Sequence, residues 1–380
     1  MSQDMLETLR AIDLAVLMDV VRQDQRSPTF EILDWSVKRL SDKGIVNPDG
    51  LFLFSGQGYD ERGTRSWSVV LKYLKDPGEE QNVRDIYYWK REALLIQTGL
   101  LASLPNSIAR PRFYGTTERE GSVWVWMEHI VQPKPHWTID QYVFAAQQIG
   151  RFNAACLTLN PMPDYPWLCK GHLRNWLEHE ASVNAFWESP FANQAFSSHL
   201  RERWDKLWGE RERFLNTLDR LPQVLSHFDF HRRNLLIRQQ ESNREEVVAI
   251  DWALCGYGAL GGDAYALIIA TTTLFDEVEP AALPELEAAV FPAYLEGLQD
   301  AGWRGNPELA RLGYTAWTAL WQAAAAPVLV ALWNSHNMPP LARQLAGRSP
   351  EAFAAGQVMI YEFALDRADE ARQLMDRLGF

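Results

Sequence analysis

Three polar side chains in the second half of the chain have the types and the spacing of a phosphoryl-transfer site. Asn234 follows Asp229 after five residues, and Asp251 comes seventeen residues after Asn234. Short apolar runs on either side predict strands, so these side chains are expected where strands end and a ligand can reach them. Magnesium-dependent phosphoryl transfer needs such a set, because one carboxylate must face the acceptor hydroxyl. An amide oxygen and a second carboxylate must hold metal ions against the nucleotide phosphates.

Two other interpretations fit the same residues. An aspartate in a turn between strands commonly caps the turn or faces water. His227, Asp229 and His231 also alternate along the chain, so on a strand they would share one face and could bind zinc or iron. No further histidine, cysteine or acidic residue stands nearby in a familiar ligand pattern, which favours phosphoryl transfer over a transition-metal site.

The elements expected to position these residues begin with a helix and an antiparallel sheet. Residues 5–21 have mostly helical spacing and predict one leading helix. Alternation and turn residues predict strands over 30–40, 51–54, 67–74, 112–115 and 122–127. Gly56, Gly58 and Gly63 are expected to mark a hairpin, and residues 83–101 predict a helix.

Beyond a segment containing Pro133 and Pro135, the pattern is mainly helical. Thr138 and Gln141 have the spacing of a capping box ahead of a helix that ends at Leu157. Further helices are predicted over 178–218, 264–275, 281–301, 309–333 and 351–378. This order predicts an α+β protein with a first domain over 1–127 and a second over 128–380.

Composition narrows the class of protein. At 380 residues, 47% hydrophobic and 23% charged, the chain can bury a sizeable core, and its net charge of −12 argues against a broad nucleic-acid surface. Three cysteines without paired spacing, Cys156, Cys169 and Cys255, suggest neither a disulfide framework nor a zinc ribbon, so we expect a reducing, cytoplasmic setting. No signal peptide or membrane span is expected. The oligomeric state is not indicated by the sequence.

The stretch HFDFHRRN at 227–234, together with IDW at 250–252, resembles the aminoglycoside phosphotransferase and choline kinase-like family. The family's H-x-D-x-x-x-x-N loop is matched at His227, Asp229 and Asn234. The histidine that is common two residues after the aspartate is matched at His231. Asp251 stands where protein kinases have the aspartate of Asp-Phe-Gly.

This resemblance covers about residues 30–269 and implies a two-lobe, protein-kinase-like fold. A small N-terminal lobe would contain the antiparallel sheet and bind the nucleotide. A larger, mainly helical C-terminal lobe would carry the catalytic loop and the acceptor site. The implied activity is transfer of the ATP γ-phosphate to a hydroxyl, with Asp229 as catalytic base and Mg²⁺ held by Asn234 and Asp251.

The resemblance also implies roles for residues around these three. His227, His231 and Asp263 would support the catalytic loop, and the alternative for Asp263 is the N-cap of a helix, a role that it could also combine with the first. Arg232 and Arg233 could contact phosphate or face water. Asn153 stands where relatives often have a histidine.

Nucleotide-binding residues are implied in the first domain. Lys72, in the sequence VVLK, resembles the lysine that pairs with the α and β phosphates, and Glu92 on the following helix could hold it by an ion pair. The adenine would rest at the strand exit that includes Glu128 and Ile130. For the glycine-rich turn, the register through Gly44 and Gly50 is preferred over one through residues 55–58.

The acceptor is expected to be a small molecule of the aminoglycoside, amino alcohol, sugar or natural-product type. An acidic cluster, Asp276, Glu277 and Glu279, would suit a cation, whereas abundant tryptophan would suit a stacked ring. A protein acceptor would need a long activation segment, for which few residues follow Asp251. The alternative from another class is a nucleotide-binding pseudokinase that acts through protein interaction.

Overall fold

The computed structural model describes residues 2–40, 50–78, 81–131, 136–158, 163–179, 187, 190–239, 244–273, 278–334 and 349–380. Two compact units divide the chain. The first comprises Met1–Gln81, Trp89–Ser103 and Arg110–Pro133, and the second comprises Asn82–Tyr88, Leu104–Ala109 and Lys134–Phe380. In the part of the chain that the model describes, we find no helix long and apolar enough to cross a membrane.

The first unit is a five-stranded antiparallel sheet with helices on both faces. Its strands are β1 Glu31–Arg39, β2 Leu51–Asp60, β3 Gly63–Lys75, β4 Phe113–Arg119 and β5 Ser122–Glu128, in the order β1-β2-β3-β5-β4. Its helices are α1 Ser2–Arg10, α2 Leu14–Gln25, α3 Arg91–Gln97 and α4 Leu100–Ser103.

Side-chain alternation divides the core of this unit between the two faces of the sheet. One cluster buries Leu17 and Val21 of α2 against Phe54, Val69 and other strand residues. The other buries Ala93 of α3 against Val70 of β3 and further strand residues. Because side chains two apart on a strand share a face, Lys72 lies on the same side of the sheet as Val70 and hence as α3.

Three expectations for this unit were wrong in whole or in part. The single leading helix is two helices, because the side chain of Asp13 accepts a hydrogen bond from the Ala15 backbone (2.9 Å) and starts α2. The hairpin expected at Gly56, Gly58 and Gly63 is present between β2 and β3 with Gly63 at its turn (φ 99°), but Gly56 and Gly58 lie inside β2, where they pair with β1 and β3. The helix expected over 83–101 is confined to α3 and α4.

The second unit is mainly helical and contains short strands around the catalytic loop. Its helices are α5 Ile139–Leu157, α6 His172–His179, α7 Pro190–Ala195, α8 Ser198–Gly209, α9 Arg211–Arg220, α10 Gly262–Tyr265, α11 Thr271–Thr273, α12 Leu283–Asp300, α13 Pro307–Asn334 and α14 Pro350–Leu378. A π-helical stretch, Ala266–Ala270, joins α10 to α11, and 3-10 turns cover Trp252–Leu254 and Pro280–Ala282. The capping box expected at Thr138 and Gln141 is present at the start of α5.

Five short strands complete this unit. They are β6 Cys169–Lys170, β7 Gln223–Ser226, β8 Leu235–Gln239, β9 Glu245–Ala249 and β10 Gly256–Ala259. The central strand β10 pairs antiparallel with β7 and parallel with β6, while β8 and β9 form a separate antiparallel pair. The loop at 227–234 therefore leaves one sheet at β7 and enters the other at β8.

Candidate functional site

Asp229, Asn234 and Asp251 meet where β8 begins and β9 ends. The backbone N–H of Ile250 donates to the carbonyl of Asn234 (3.0 Å), which places Asp251 next to that residue. Asn234 Nδ2 donates to Asp229 Oδ2 (2.7 Å) and to the Asp229 carbonyl (3.1 Å). The structure thus brings the three predicted polar residues together.

The Asp229 carboxylate is held from two sides and is still accessible. His231 Nε2 lies 3.3 Å from Asp229 Oδ1, and 31% of the Asp229 side chain is exposed. His231 Nδ1 accepts from the Arg233 backbone (3.1 Å), which directs the other ring nitrogen at the carboxylate. Burial raises the pKa of Asp229, but His231 and Asn234 outweigh burial and bring the pKa below its ordinary value. Asp229 is therefore ionised at neutral pH, as a carboxylate that takes up a proton must be.

His227 links the loop to the end of β9. Its Nδ1 accepts from the Asp229 backbone N–H (3.2 Å), and its Nε2 lies 3.1 Å from the Ile250 carbonyl. A carbonyl can only accept, so the ring proton is on Nε2. Burial lowers the pKa of His227 to about 4, so this imidazole is neutral at pH 7.

Asp263 lies beneath the loop at the first turn of α10. Its Oδ1 accepts from the Phe228 backbone (2.9 Å) and its Oδ2 from Asn153 Nδ2 (2.8 Å). The N-cap of α10 is Gly261, so the alternative expectation that Asp263 itself caps this helix was wrong. Burial raises the pKa of Asp263 to about 6 despite these hydrogen bonds.

The donor atoms around Asp229 fit a hard cation better than a transition metal. Asn234 uses its amide nitrogen on Asp229, which leaves its amide oxygen available as a ligand, and the backbone hydrogen bond from Ile250 to Asn234 places Asp251 in the neighbouring part of the chain; Mg²⁺ prefers such oxygen ligands. Both ring nitrogens of His227 contact backbone groups, which argues against a site through His227 and His231. Among the described residues, no group of three or more His, Cys, Asp and Glu side chains could hold a metal ion.

In the first unit, Lys72 and Glu92 form a buried ion pair between β3 and α3. The ammonium of Lys72 contacts Glu92 Oε2, and 9% and 2% of the two side chains are exposed. The pairing follows from the face of the sheet on which Lys72 lies. Removing either partner would leave a buried charge, which is strongly destabilising.

Glu128 and Ile130 lie at and just beyond the end of β5. The Glu128 carboxylate accepts from the Arg112 backbone (3.0 Å), so this side chain is engaged within the sheet. Next to it opens a cavity of about 740 Å³, whose lining includes Leu53, Ser68 and His129. Ser68 Oγ and His129 Nδ1 are 3.0 Å apart at this wall.

The sequence also led to expectations for the glycine-rich turn, for Arg232 and for the acidic cluster. Gly44 lies outside the described residues, whereas residues 55–58 are strand, so the register that was not preferred is wrong. Arg232 is buried, its Nη1 donating to the Leu235 carbonyl (3.3 Å) and its guanidinium lying 4.7 Å from the Trp137 ring, so it does not face water. Asp276 and Glu277 also lie outside the described residues, and Glu279 is exposed.

The sequence did not reveal two further residues near the catalytic loop. Phe228 has a left-handed backbone (φ 64°), unusual for a residue with a large side chain. Tyr294 of α12 donates its hydroxyl to Asn153 Oδ1 (2.9 Å), a contact across 141 residues. In the sequence, the signal for this contact was Asn153, which stands where relatives often have a histidine.

The chain matches a known protein family. A model described as the phosphotransferase enzyme family matches residues 99–305, more than half of the chain. No curated protein matches the chain in a sequence comparison.

Several solved structures are similar to this chain. An amicoumacin kinase in complex with AMP-PNP, Ca²⁺ and Ami is 13% identical, covers 87% of this chain and 88% of its own, and has a TM-score of 0.52. A putative aminoglycoside phosphotransferase from Ralstonia eutropha JMP134 is 14% identical, with coverages of 93% and 98% and a TM-score of 0.48. A choline/ethanolamine kinase family protein from Mesorhizobium loti is 12% identical, with coverages of 89% and 87% and a TM-score of 0.47. At such identities the likeness concerns the fold alone, and the expected protein-kinase-like α+β fold is confirmed.

Proposed function

Because the chain belongs to the phosphotransferase enzyme family, and is thus an ATP-dependent phosphotransferase with a hydroxyl acceptor, we propose that it is a small-molecule kinase with Asp229 as its catalytic base. The family expected from the motifs at 227–234 and 250–252 is confirmed by this match. The observation that carries the proposed role is the contact of the ionised, partly exposed Asp229 carboxylate with Asn234, which in turn adjoins Asp251.

In the proposed reaction, Asp229 accepts a hydrogen bond from the acceptor hydroxyl and orients its oxygen toward the γ-phosphorus of ATP. A new bond forms between that oxygen and phosphorus as the bond to the β-phosphate oxygen breaks. ADP leaves with the bonding electrons, and the hydroxyl proton passes to Asp229. A carboxylate has about four acceptor positions, so the contacts with His231 and Asn234 leave room for the hydroxyl.

Asn234 and Asp251 are proposed to hold magnesium. Their amide and carboxylate oxygens have the donor chemistry that Mg²⁺ requires. When bound, Mg²⁺ neutralises phosphate charge. The hydrogen bond from Asn234 to Asp229 would keep the metal-binding amide and the catalytic carboxylate in a fixed relation.

The nucleotide is proposed to use residues of the first unit. Lys72 would bind the α and β phosphates, and Glu92 would hold the Lys72 ammonium in place. The cavity beside Glu128 is of the size that small-ligand sites occupy and is our candidate for the purine base. Because the Glu128 carboxylate is engaged by Arg112, the base would pair with backbone groups of Glu128 and Ile130.

His227, His231 and Asp263 are proposed to support the loop. Each contacts either the backbone of 227–229 or the Asp229 carboxylate. None of the three needs to touch substrate for this role. Three buried thiols, Cys156, Cys169 and Cys255, support our proposal that the enzyme works in a reducing, cytoplasmic setting.

The acceptor is proposed to be a small molecule. Residues that follow Asp251 form a 3-10 turn, then strand β10, then α10, so this stretch contains no long activation segment for a protein substrate. Aminoglycosides, amino alcohols, sugars and related natural products are the classes to test.

The experiment is a coupled assay of ADP release across those acceptor classes, followed by Asp229→Asn on each acceptor that is turned over. We expect kcat to fall about 100- to 10,000-fold, the range for loss of general base catalysis, while the thermal midpoint stays within a few degrees. Asp205→Asn, at an exposed aspartate of α8 paired with Arg201, is the matched control and should leave kcat unchanged.

Two results would contradict the proposal. Near wild-type turnover by Asp229→Asn would rule out the base assignment. Binding of Mg²⁺-ATP without any ADP release, with or without acceptor, would instead support the pseudokinase alternative.

A further inference from the structure

A chain of buried hydrogen bonds runs from helix α12 to the backbone that precedes Asp229. The Tyr294 hydroxyl donates to Asn153 Oδ1 (2.9 Å), Asn153 Nδ2 donates to Asp263 Oδ2 (2.8 Å), and Phe228 N donates to Asp263 Oδ1 (2.9 Å). We propose that Tyr294 and Asn153 are positioning residues for phosphoryl transfer, which through Asp263 hold the Phe228 backbone and so aim the Asp229 carboxylate. This inference rests on the proposed function of Asp229.

The backbone conformation of Phe228 must be stabilised by its surroundings. Its φ of 64° is a conformation that residues with large side chains rarely adopt, and it persists only where surrounding contacts impose it. On one side, the Phe228 ring stacks on His172 and Trp317, with centroid distances of 4.2 and 5.1 Å. On the other, Asp263 accepts the Phe228 N–H. Because Asp229 is the next residue, the direction of its side chain follows from this conformation.

Tyr294 helps to fix the orientation of the Asn153 amide, that is, the positions of its oxygen and its nitrogen. An amide has an oxygen that accepts and a nitrogen that donates, and both orientations fill the same space. The Tyr294 hydroxyl accepts from Gly261 N (3.1 Å), so its own proton is directed to Asn153 Oδ1. This leaves Nδ2 toward Asp263. Without the hydroxyl, Asn153 Oδ1 loses this buried donor, and the amide is held in its orientation from the Asp263 side alone.

Because these hydrogen bonds are buried, the loss of any one of them costs free energy. Asn153 and Tyr294 are fully buried and Asp263 is 1% exposed, so water cannot replace a lost partner without a change in packing. Asp263 accepts from the Phe228 backbone of the catalytic loop on one oxygen and from Asn153 on the other. Asn153 therefore links this carboxylate of α10 to helix α5.

Helices α5 and α12 pack closely at this point. A Cβ added to Gly150 of α5 would lie 2.1 Å from the Tyr294 carbonyl oxygen, and one added to Gly297 of α12 would lie 2.1 Å from the Gln147 carbonyl oxygen. Two glycines thus let α5 and α12 approach closely. That approach is what brings a hydroxyl on α12 within reach of an amide on α5.

The test compares Tyr294→Phe with Tyr361→Phe in the full chain. Tyr361 is a fully buried tyrosine of α14 whose hydroxyl has no hydrogen-bond partner among the described residues, so its variant controls for removal of a buried oxygen atom without loss of a hydrogen bond. Using Mg²⁺-dependent ATP hydrolysis, with water as acceptor, we expect kcat to fall about tenfold in Tyr294→Phe while the KM for ATP changes less than twofold. Tyr361→Phe should keep wild-type kcat.

Hydrogen exchange supplies a readout that a general loss of stability would not produce. In Tyr294→Phe, amides of residues 223–234 should exchange about tenfold faster, whereas those of α5 and α12 should be unchanged. Equal acceleration in both helices would mean that Tyr294 is structural only and would overturn the proposal.

A double substitution tests whether the residues act in series. If Tyr294 acts through Asn153, then Asn153→Ala/Tyr294→Phe should lose no more kcat than Asn153→Ala alone, within twofold. Multiplicative losses would overturn the relay. If Tyr294→Phe does not fold, Asn153→His decides: its N–H can still donate to Asp263, so it should keep at least fivefold more kcat than Asn153→Ala, and equal values would overturn the proposal.

The two proposals fail in different ways. A folded wild-type protein with no ATP turnover, alone or with acceptors, contradicts the proposed function. An active wild type whose kcat is unaffected by Tyr294→Phe contradicts the relay only.

Discussion

His227 and Asp263 are buried titratable groups that respond to acid in opposite directions. Burial lowers the pKa of His227 to about 4 and raises that of Asp263 to about 6. Between these values the folded protein keeps His227 neutral and Asp263 protonated, each in its uncharged form. The unfolded chain would carry both charges. Acid therefore destabilises the fold through His227 and stabilises it through Asp263, and only a variant can separate the two effects.

The substitution His227→Gln should remove the contribution to the free energy of unfolding that is lost in acid. Above pH 6.5 the folded and unfolded states both hold His227 neutral, so its contribution is complete there. As pH falls from 6.5 to 4, the unfolded state binds a proton that the folded state excludes, and this contribution is lost. The free-energy difference between wild type and His227→Gln, from urea unfolding, should shrink by about 2–3 kcal/mol between pH 7.5 and 4.5.

The matched control is His199→Gln, at an exposed histidine of α8. Its difference from wild type should not depend on pH over this range. A pH-independent difference for His227→Gln would show that the imidazole titrates normally in the folded protein.

At this residue scale, contacts at short spacing were predictable and distant ones were not. The link from Asn234 to Asp229 crosses five residues and follows from a motif that can be read in the sequence. The links from Asp263 to Phe228 and from Tyr294 to Asn153 cross 35 and 141 residues. They depend on how helices pack, which neither composition nor local periodicity determines.

At the scale of elements, local chemistry again decided what could be foreseen. The capping box at Thr138 and Gln141 uses backbone groups three residues apart, so its signature was sufficient. The helix expected over 83–101 was wrong because Asn82 and Asp85 side chains bond the Arg84 and Tyr87 backbones, and Gly99 has a φ of 72°. Such side-chain competition for backbone groups ends a helix that hydrophobic spacing alone would continue.

Gly150→Ala and Gly297→Ala should each destabilise the second unit. An added methyl at either position would meet a backbone carbonyl oxygen at 2.1 Å, so α5 and α12 would have to separate. Overpacking of this kind costs about 1–3 kcal/mol or more, which exceeds the gain of up to about 1 kcal/mol that alanine brings to a helix. Thermal and urea unfolding would measure the loss.

Gly209→Ala is the control because Gly209 ends α8 with no atom within 4 Å of an added Cβ. We expect it to be at least as stable as wild type. Unchanged stability in Gly150→Ala would mean that the two helices can move apart at little cost. It would argue against the close helix packing on which the hydrogen bond between Tyr294 and Asn153 depends.

At the scale of the whole molecule, the change from strand-like to helix-like periodicity predicted an antiparallel sheet followed by a mainly helical part. The boundary expected between residues 127 and 128 stays a prediction. The sequence could not show that residues 82–88 and 104–109 group with the second unit. Ala109 does so by exchanging backbone hydrogen bonds with Val247 and Ala249 (2.8 and 2.9 Å), pairing that joins distant parts of the chain.

Binding of Mg²⁺-ATP should stabilise the whole chain, because a ligand that binds only the folded state shifts the unfolding equilibrium. At an ATP concentration 100 times Kd, the gain is about 2.7 kcal/mol, or roughly 3–4 °C in the thermal midpoint of a chain of 380 residues. Because Asp251 is proposed to hold Mg²⁺, the shift should depend on Mg²⁺ and should fall at least threefold in Asp251→Asn, each variant being compared with its own ligand-free midpoint. Asp205→Asn should keep the full shift, since Asp205 lies on the exposed face of α8. An equal shift in Asp251→Asn, at the same Mg²⁺ and ATP concentrations, would remove Asp251 from the metal site and leave Asn234 as the remaining proposed ligand.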